Sequence, residues 1–514
     1  MFPSDTDYDT KITLETEMSP MPEDLPFHIL LLGDWSGTDS QEVDFDSSKC
    51  NPVEIDRDNF EEVLRKLDVR LNLDFHEDGG NVLSLRFTEF EDFHPDRVFQ
   101  QLPLFANLRD VRRRLINSPT FDDAAREIRS WLVEAENEKA SETKTQATAT
   151  AKPKSPPSDL LNQILGQAEE DITVAQSQNT ESSELSAFVK KLVKPYLIQT
   201  DTTEQSKLLM VVDEVISDLM RKILHHPQFQ ALESAWRGAY FLVRRVETDS
   251  ELKIYLLDIS KDELTTNLKS NSDLTNSRLY QILSQQTGKT FDGKSWAVVC
   301  GNYTFSLNID DVATLIRLAK IADNTDTPFI SHIKPEIFGF KSFAEADASD
   351  NWKISENSTE EKLWTMLRAV PEAVQLALAL PRTLARLPYG ENTEPTETFY
   401  FEEFIPTIQH EQYLWTNPVF IIALLLAKTF RQFGWNMSRN FFQDVDGLPV
   451  HLYQEELDHK TKPCAEILMT QNNCERILEQ GAIPLISFKD EDRIRLGSFQ
   501  SVAYPPALLK GRWS

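Results

Sequence analysis

Gly288-Lys-Thr290 has the ending of a phosphate-binding loop. A lysine and a hydroxyl after glycine grip phosphates and magnesium only when a glycine-rich turn precedes them. The glycine required five residues before Gly288 is instead Leu283, so the cradle of backbone N–H groups is missing. His225-His226 suggests a metal, but neighbouring side chains on a helix point about 100° apart and do not share one ion. The pair reads as a helix-start contact or an exposed polar pair. Asp444-Val-Asp-Gly447 lacks the spaced oxygens and terminal Glu of a calcium loop and reads as a turn. GxSxG, HExxH and GxGxxG do not occur. The 82 acidic residues offer many carboxylates, with no spacing that singles out a catalytic pair. An enzyme would need a pocket with converging ionisable groups, and no motif here supplies one. The expectation is a protein that is not an enzyme, with no catalytic residue, cofactor or metal.

Composition narrows the class further. The 514 residues suffice for about two to four domains. Hydrophobic residues make up 40% and charged residues 26%, the balance of a soluble globular protein. A net charge of −29 argues against a nucleic-acid surface, which needs clustered Lys and Arg. Cys50, Cys300, Cys464 and Cys474 form no CxxC pair, as expected for free, packed thiols in a reducing cytoplasm. The acidic N-terminus is no secretory signal. The longest apolar run, Val419 to Ala427, stops at Lys428, far short of the roughly 20 residues that span a bilayer. A cytoplasmic protein without membrane insertion is expected.

Periodicity gives the elements. Phe27 to Gly33 reads as a buried strand, and Phe60, Val63, Leu64 and Leu67 mark a helix. Asp58 and Glu61 have the spacing of a capping box. Val69 to Phe75 and Leu83 to Phe87 alternate around Glu77-Asp-Gly-Gly-Asn81, predicting a hairpin. Helical segments follow over 95–116 and 121–133. Between Glu134 and Pro157 large apolar residues vanish in favour of Thr, Ala, Lys, Ser and Pro, a composition that cannot offset its ordering entropy. Beyond it, helices are predicted over 208–224, 311–322 and 417–434, with Asn417 and Pro418 at the start of the last. Strands are predicted at 252–257, 296–300 and 329–330.

Phe229, Leu232, Trp236 and Tyr240 recur at helical spacing after Pro227, a stripe of bulk best read as core, as is Trp415. Arg237, beside that stripe, suits a fork onto a neighbouring copy's carboxylate. Leu160, Leu161, Ile164 and Leu165 cluster on a short segment beside the tether, the pattern of a docking helix. The expected fold is α/β with mixed α+β character. It comprises a flexible arm (1–25), a first module (26–133), a linker (134–157) and a second module (158–514).

Several ordered motifs carry a resemblance. Val53-Glu-Ile-Asp-Arg-Asp-Asn-Phe60 and Phe93-His-Pro-Asp-Arg-Val98 resemble the small subunit (TssB) of the type VI secretion contractile sheath. The Ile223–Tyr240 stretch, Leu252–Leu264, Gly301–Phe305, Leu380-Pro-Arg382, Arg386-Leu-Pro-Tyr-Gly390, Phe401-Glu-Glu403, Tyr413-Leu-Trp415 and Gly447–His451 resemble the large subunit (TssC). The resemblance implies a fusion of the two subunits, with the large one C-terminally truncated relative to the family. It implies a structural part of a helical sheath that assembles around an inner tube and contracts by repacking its interfaces. The other reading is a sheath-derived accessory factor that binds sheath or baseplate without forming a filament. Implied partners are other sheath subunits or copies of itself, the inner-tube protein, baseplate components and an unfoldase-type ATPase gripping Leu160, Leu161, Ile164 and Leu165. Asp56, Arg57, Asp58, Phe60, Arg237, Tyr389, Glu402 and Glu403 are the remaining interface candidates.

Overall fold

The computed structural model describes residues 25–38, 50–73, 83–129, 204–284, 296–346, 352, 357–404, 409–437, 440–455 and 458–513. The tether and Leu160, Leu161, Ile164 and Leu165 lie outside the described residues, as does the arm up to residue 24.

The N-terminal part contributes β1 (Phe27–Gly33), β2 (Val53–Ile55), α1 (Phe60–Lys66), β3 (Arg70–Leu73), β4 (Leu83–Arg86), α2 (Pro95–Gln101) and α3 (Ala106–Ile116). A further helix, α4, covers 121–129. Beyond the undescribed stretch come α5 (Glu204–Leu224), α6 (Pro227–Arg245), β5 (Leu252–Asp258), α7 (Lys261–Ser270), α8 (Arg278–Ser284), β6 (Trp296–Phe305), α9 (Ile309–Thr325) and β7 (Phe329–Ile333). Then follow α10 (Thr359–Ala369), β8 (Leu376–Leu380), β9 (Thr383–Leu384), β10 (Trp415–Thr416), α11 (Val419–Phe433) and β11 (Asp444–Val445). The last elements are β12 (His451–Glu455), β13 (Asp458–Lys462), α12 (Gln471–Glu479), β14 (Ile483–Ser487) and β15 (Ile494–Leu496). The mixed α/β class expected from the sequence is the one observed.

A nine-stranded mixed sheet in the order β11-β15-β14-β8-β7-β6-β1-β5-β2 organises the molecule. β1, from the N-terminal segment, is an interior strand. It runs parallel to β5 over Phe27↔Leu252 to Gly33↔Asp258, and parallel to β6 on its other side. Every residue of β1 is buried, which explains its unbroken apolar run: a strand covered on both faces needs no polar alternation. Phe27, Ile29 and Leu31 enter the core that holds α1, α3, α5, α6 and α11, while Leu30 and Leu32 enter the core around α7, α8, α9 and α10. The two segments read as separate modules thus share one sheet and the apolar cores on both of its faces.

Three local readings are corrected. The Asp58/Glu61 box does not form; α1 starts after Asn59, which makes no side-chain cap. Instead Asp56 Oδ1 accepts from the N–H groups of Asp58 and Asn59, both at 2.8 Å, and Asn59 Oδ1 accepts from Asp56 N at 2.8 Å. A reciprocal turn of this kind competes with a cap for the same donors. Asp444-Val445, read as part of a turn, is the edge strand β11 antiparallel to Arg495 and Ile494, and Gly447, with φ +70°, lies just beyond its end. The hairpin is present as β3–β4, with Leu71 opposite Leu85. The helical stretch after Pro95 is broken between α2 and α3, where Leu102 takes the extended backbone that precedes Pro103.

Candidate functional site

α6 forms the seam between the two segments. Pro227 occupies its first position and His226, in extended conformation, accepts from Gln228 N at 3.4 Å, closing the helix start. The paired histidines therefore divide: His226 caps, and His225 Nε2 stands 3.4 Å from Glu403 Oε1. Phe229, Leu232 and Trp236 are buried and Tyr240 is partly so. The rings that meet them come from residues 35–93. Phe229 meets Phe87 and Phe93 at 6.1 and 6.2 Å between centroids. Trp236 lies edge-on to Trp35 at 5.7 Å and to Phe60 at 5.4 Å, and donates from Nε1 to the Trp35 carbonyl at 2.9 Å. Tyr240 stacks on Phe90 at 4.2 Å. Edge-on and offset pairs are the favoured aromatic geometries and add about 0.5–1.5 kcal/mol each beyond area burial. On the opposite face, Gly238 lets the Phe420 ring of α11 lie where a Cβ would meet it at 2.3 Å.

Next to the stripe lies a buried ionic network. Arg386 donates to both oxygens of Glu233 at 2.8 and 3.4 Å and to both oxygens of Glu403 at 2.7 and 3.1 Å. Glu403 also accepts from Tyr389 N at 2.8 Å. Arg237 donates from Nε to Glu233 at 2.7 Å and from Nη2 to the Tyr389 hydroxyl at 2.8 Å. Glu233 and Glu403 are 0% and 2% exposed, so each charge depends on its partners. Burial pushes the Glu403 carboxyl up, but Arg386 and His225 outweigh it and hold it down at about 2. Burial opposes charge on Arg386, yet Glu233 and Glu403 raise the guanidinium well above its ordinary value.

The N-terminal segment covers this network. Phe90 lies under Arg237 at 5.3 Å, and the His94 ring meets Tyr389 edge-on at 5.0 Å. Asp96, from the Phe93–Val98 motif, accepts from Glu397 N at 2.8 Å, from Thr398 N at 3.1 Å and from the Thr398 hydroxyl. One carboxylate so fixes the loop that carries Phe401 to Glu403. Further along, Arg112 of α3 forks onto Asp213 of α5 at 2.6 and 3.3 Å, and Gln205 Nε2 donates to Leu115 O at 2.8 Å.

The remaining candidates fall into distinct environments. Asp56 holds the turn already described, and Phe60 is core at 3% exposure. Arg57 and Asp58 are exposed and face one another at 3.7 Å. Glu402 accepts from Glu391 N at 2.9 Å, and its carboxylate would lie 2.3 Å from a Cβ at Gly390, which is why that motif ends in glycine. Trp415 is buried and donates to His410 O at 2.8 Å. Arg237, expected to reach a neighbouring copy, makes its ionic contact within the chain. Glu233, Arg386 and Asp96 complete the site beyond the residues that the sequence singles out. The odd spacing of charges inside apolar motifs was their signal: Glu233 directly follows Leu232 on the buried stripe, and Arg386 precedes Leu387-Pro-Tyr389.

Arg386, Arg237, Glu233, Glu403 and Tyr389 hydrogen-bond one another, so buried ion pairs and ring packing join the two segments. Residues 206–503, more than half of the chain, match the family model for VipB, described as EvpB/VC_A0108, tail sheath N-terminal domain. The chain belongs to the VipB tail sheath family. Residues 9–147 match a second model, described as type VI secretion system, VipA, VC_A0107 or Hcp2. One polypeptide thus joins a VipA (TssB) region to a VipB (TssC) region. The type VI secretion system sheath protein TssC1 of Pseudomonas aeruginosa is 32% identical over 317 residues, which is 60% of this chain. The chain spans 64% of the length of that relative.

Proposed function

We propose that this protein is a structural component of a type VI-like contractile sheath, in which the VipA and VipB regions act as one prefabricated building block. The observation that carries the proposal is β1 of the VipA region lying between β5 and β6 of the VipB region, with aromatic packing on α6 beneath it. A block held by interior strand pairing transmits force without separating its halves, which suits a part that contracts by repacking its outer contacts. Tethering the regions also fixes their stoichiometry and raises their effective concentration for each other.

In this reading the block associates with further copies or other sheath subunits around an inner-tube protein, and meets baseplate components at one end. Arg57 and Asp58 remain its exposed contact candidates. Leu160, Leu161, Ile164 and Leu165 are the proposed grip for a recycling ATPase. The work is done in the cytoplasm; among the described residues no helix is long and apolar enough to cross a membrane. Negative-stain imaging of the purified chain, alone and with the other proteins of its secretion system, tests the proposal. Tubes support it. Discrete particles decorating sheath or baseplate support the accessory-factor reading, and no association with either sinks both.

A further inference from the structure

Away from the seam, the end of the β12–β13 hairpin holds a second cluster of ionisable groups. Lys462, the last residue of β13, is partly buried and points its Nζ at His410 Nδ1, 3.0 Å away, and at the Glu466 carbonyl, 3.2 Å away. The other imidazole nitrogen, Nε2, lies 3.3 Å from Glu466 Oε1. Glu466 is only 4% exposed and is held by Arg382 through its N–H at 2.8 Å, Nε at 3.0 Å and Nη2 at 2.7 Å. Since Nδ1 faces the amine, the neutral ring carries its proton on Nε2, towards the carboxylate. An amine, an imidazole that can take its proton and a carboxylate that orients the imidazole stand in line, the arrangement that activates a nucleophile. Trp415 fixes the ring further, donating to His410 O at 2.8 Å and lying against the imidazole at 5.1 Å.

We propose that Lys462 is an acylation site, its amine accepting a small acyl group from an activated donor such as an acyl phosphate or a thioester. The Nζ lone pair attacks the donor's carbonyl carbon, the carbon–oxygen or carbon–sulfur bond breaks, and phosphate or thiolate departs with the electron pair. The Nζ proton passes to His410 Nδ1, where Glu466 stabilises the imidazolium. Lys462 Nζ lies over the Tyr413 and Trp415 rings, and these two residues, with Arg382, Glu411 and residues of α6, line a cleft of about 300 Å³. Burial lowers the Lys462 ammonium to about 8, although Glu466 and Glu411 favour its charge. Lys253, Lys261 and Lys269 instead each face a carboxylate at 2.7–2.9 Å. Acylation would remove the charge lying 5.5 and 5.1 Å from the Tyr413 and Trp415 ring centres and loosen the hairpin from the segment beneath.

The test incubates the full chain with acetyl phosphate and follows each lysine by peptide mass spectrometry at early times, with exposed Lys489 as reference. At pH 7.5 an amine of pKa about 8 is unprotonated roughly 200 times more often than an ordinary lysine. The lower basicity that frees the amine also weakens it as a nucleophile and returns part of that advantage, leaving a severalfold faster reaction at Lys462. The expected result is that excess at Lys462, with its rate levelling off above about pH 8. His410→Gln removes the proton acceptor beside Nζ and should slow acylation of Lys462 while leaving Lys489 unchanged. If that variant does not fold, the wild-type profile decides: a Lys462 rate no greater than that of Lys489, or the same pH profile, overturns the proposal.

Discussion

Replacing Arg386 by Met puts the buried network to the sharpest use. Arg386 supplies four hydrogen bonds to two carboxylates that are 0% and 2% exposed. Its loss leaves Glu233 with Arg237 and Glu403 with His225 and the Tyr389 amide. Stranding a buried charge costs about 3–5 kcal/mol, a large part of the stability of an ordinary domain. Guanidinium unfolding followed by tryptophan fluorescence measures the cost, because Trp35 and Trp236 sit beside the seam. The sign of its pH dependence is a stricter check. In the parent protein the Glu403 carboxyl is held at about 2, below its unfolded value, so its contribution is complete above about 4.5 and fades as pH falls towards 2. Without Arg386, burial is opposed much less, the carboxyl titrates higher, and protonation relieves the variant as pH drops from 7 towards 4.5. The gap between parent and variant should therefore narrow on acidification, and Glu403→Gln in the Arg386→Met background should recover part of the loss. A cost below about 1 kcal/mol, or a gap that stays constant between pH 7 and 5, would refute the argument.

Three further outcomes are expected. Trp236→Ala empties a fully buried site and orphans the Trp35 carbonyl, and should cost about 3–5 kcal/mol in the same unfolding assay. Asp96→Ala should speed amide hydrogen exchange at Glu397 and Thr398, whose N–H groups it binds, while exchange in β6 stays unchanged. Arg237→Glu places a carboxylate beside Glu233 and should reduce the yield of folded protein; a variant that folds normally and only associates poorly would instead assign Arg237 to a contact between copies.

Much of this fold is visible in local periodicity. The unbroken apolar run of β1, the Pro227 start of α6 and the Gly434 end of α11 each follow from the backbone preferences of a few neighbouring residues. What local pattern cannot express is partnership. The stripe Phe229–Tyr240 reads as core, but nothing in its spacing says that the covering rings arrive from Trp35, Phe60, Phe87 and Phe90 in another part of the chain. β1 likewise reads as a buried strand without revealing that its neighbours begin at Leu252 and Trp296. Arg237 reads as an interface anchor because it stands alone beside aromatics, whereas Glu233, one helical turn away, supplies its carboxylate. The Asp58/Glu61 spacing was satisfied on paper, but Asp56 and Asn59 bond each other first.

The VipA and VipB regions form one body through interior strand pairing. A protease site engineered within residues 130–203, cut under native conditions and followed by size-exclusion chromatography, measures this directly. The two fragments should travel as one species and part only in denaturant, because removing β1 would open the sheet between β5 and β6. Fragments that elute separately in native buffer would contradict it.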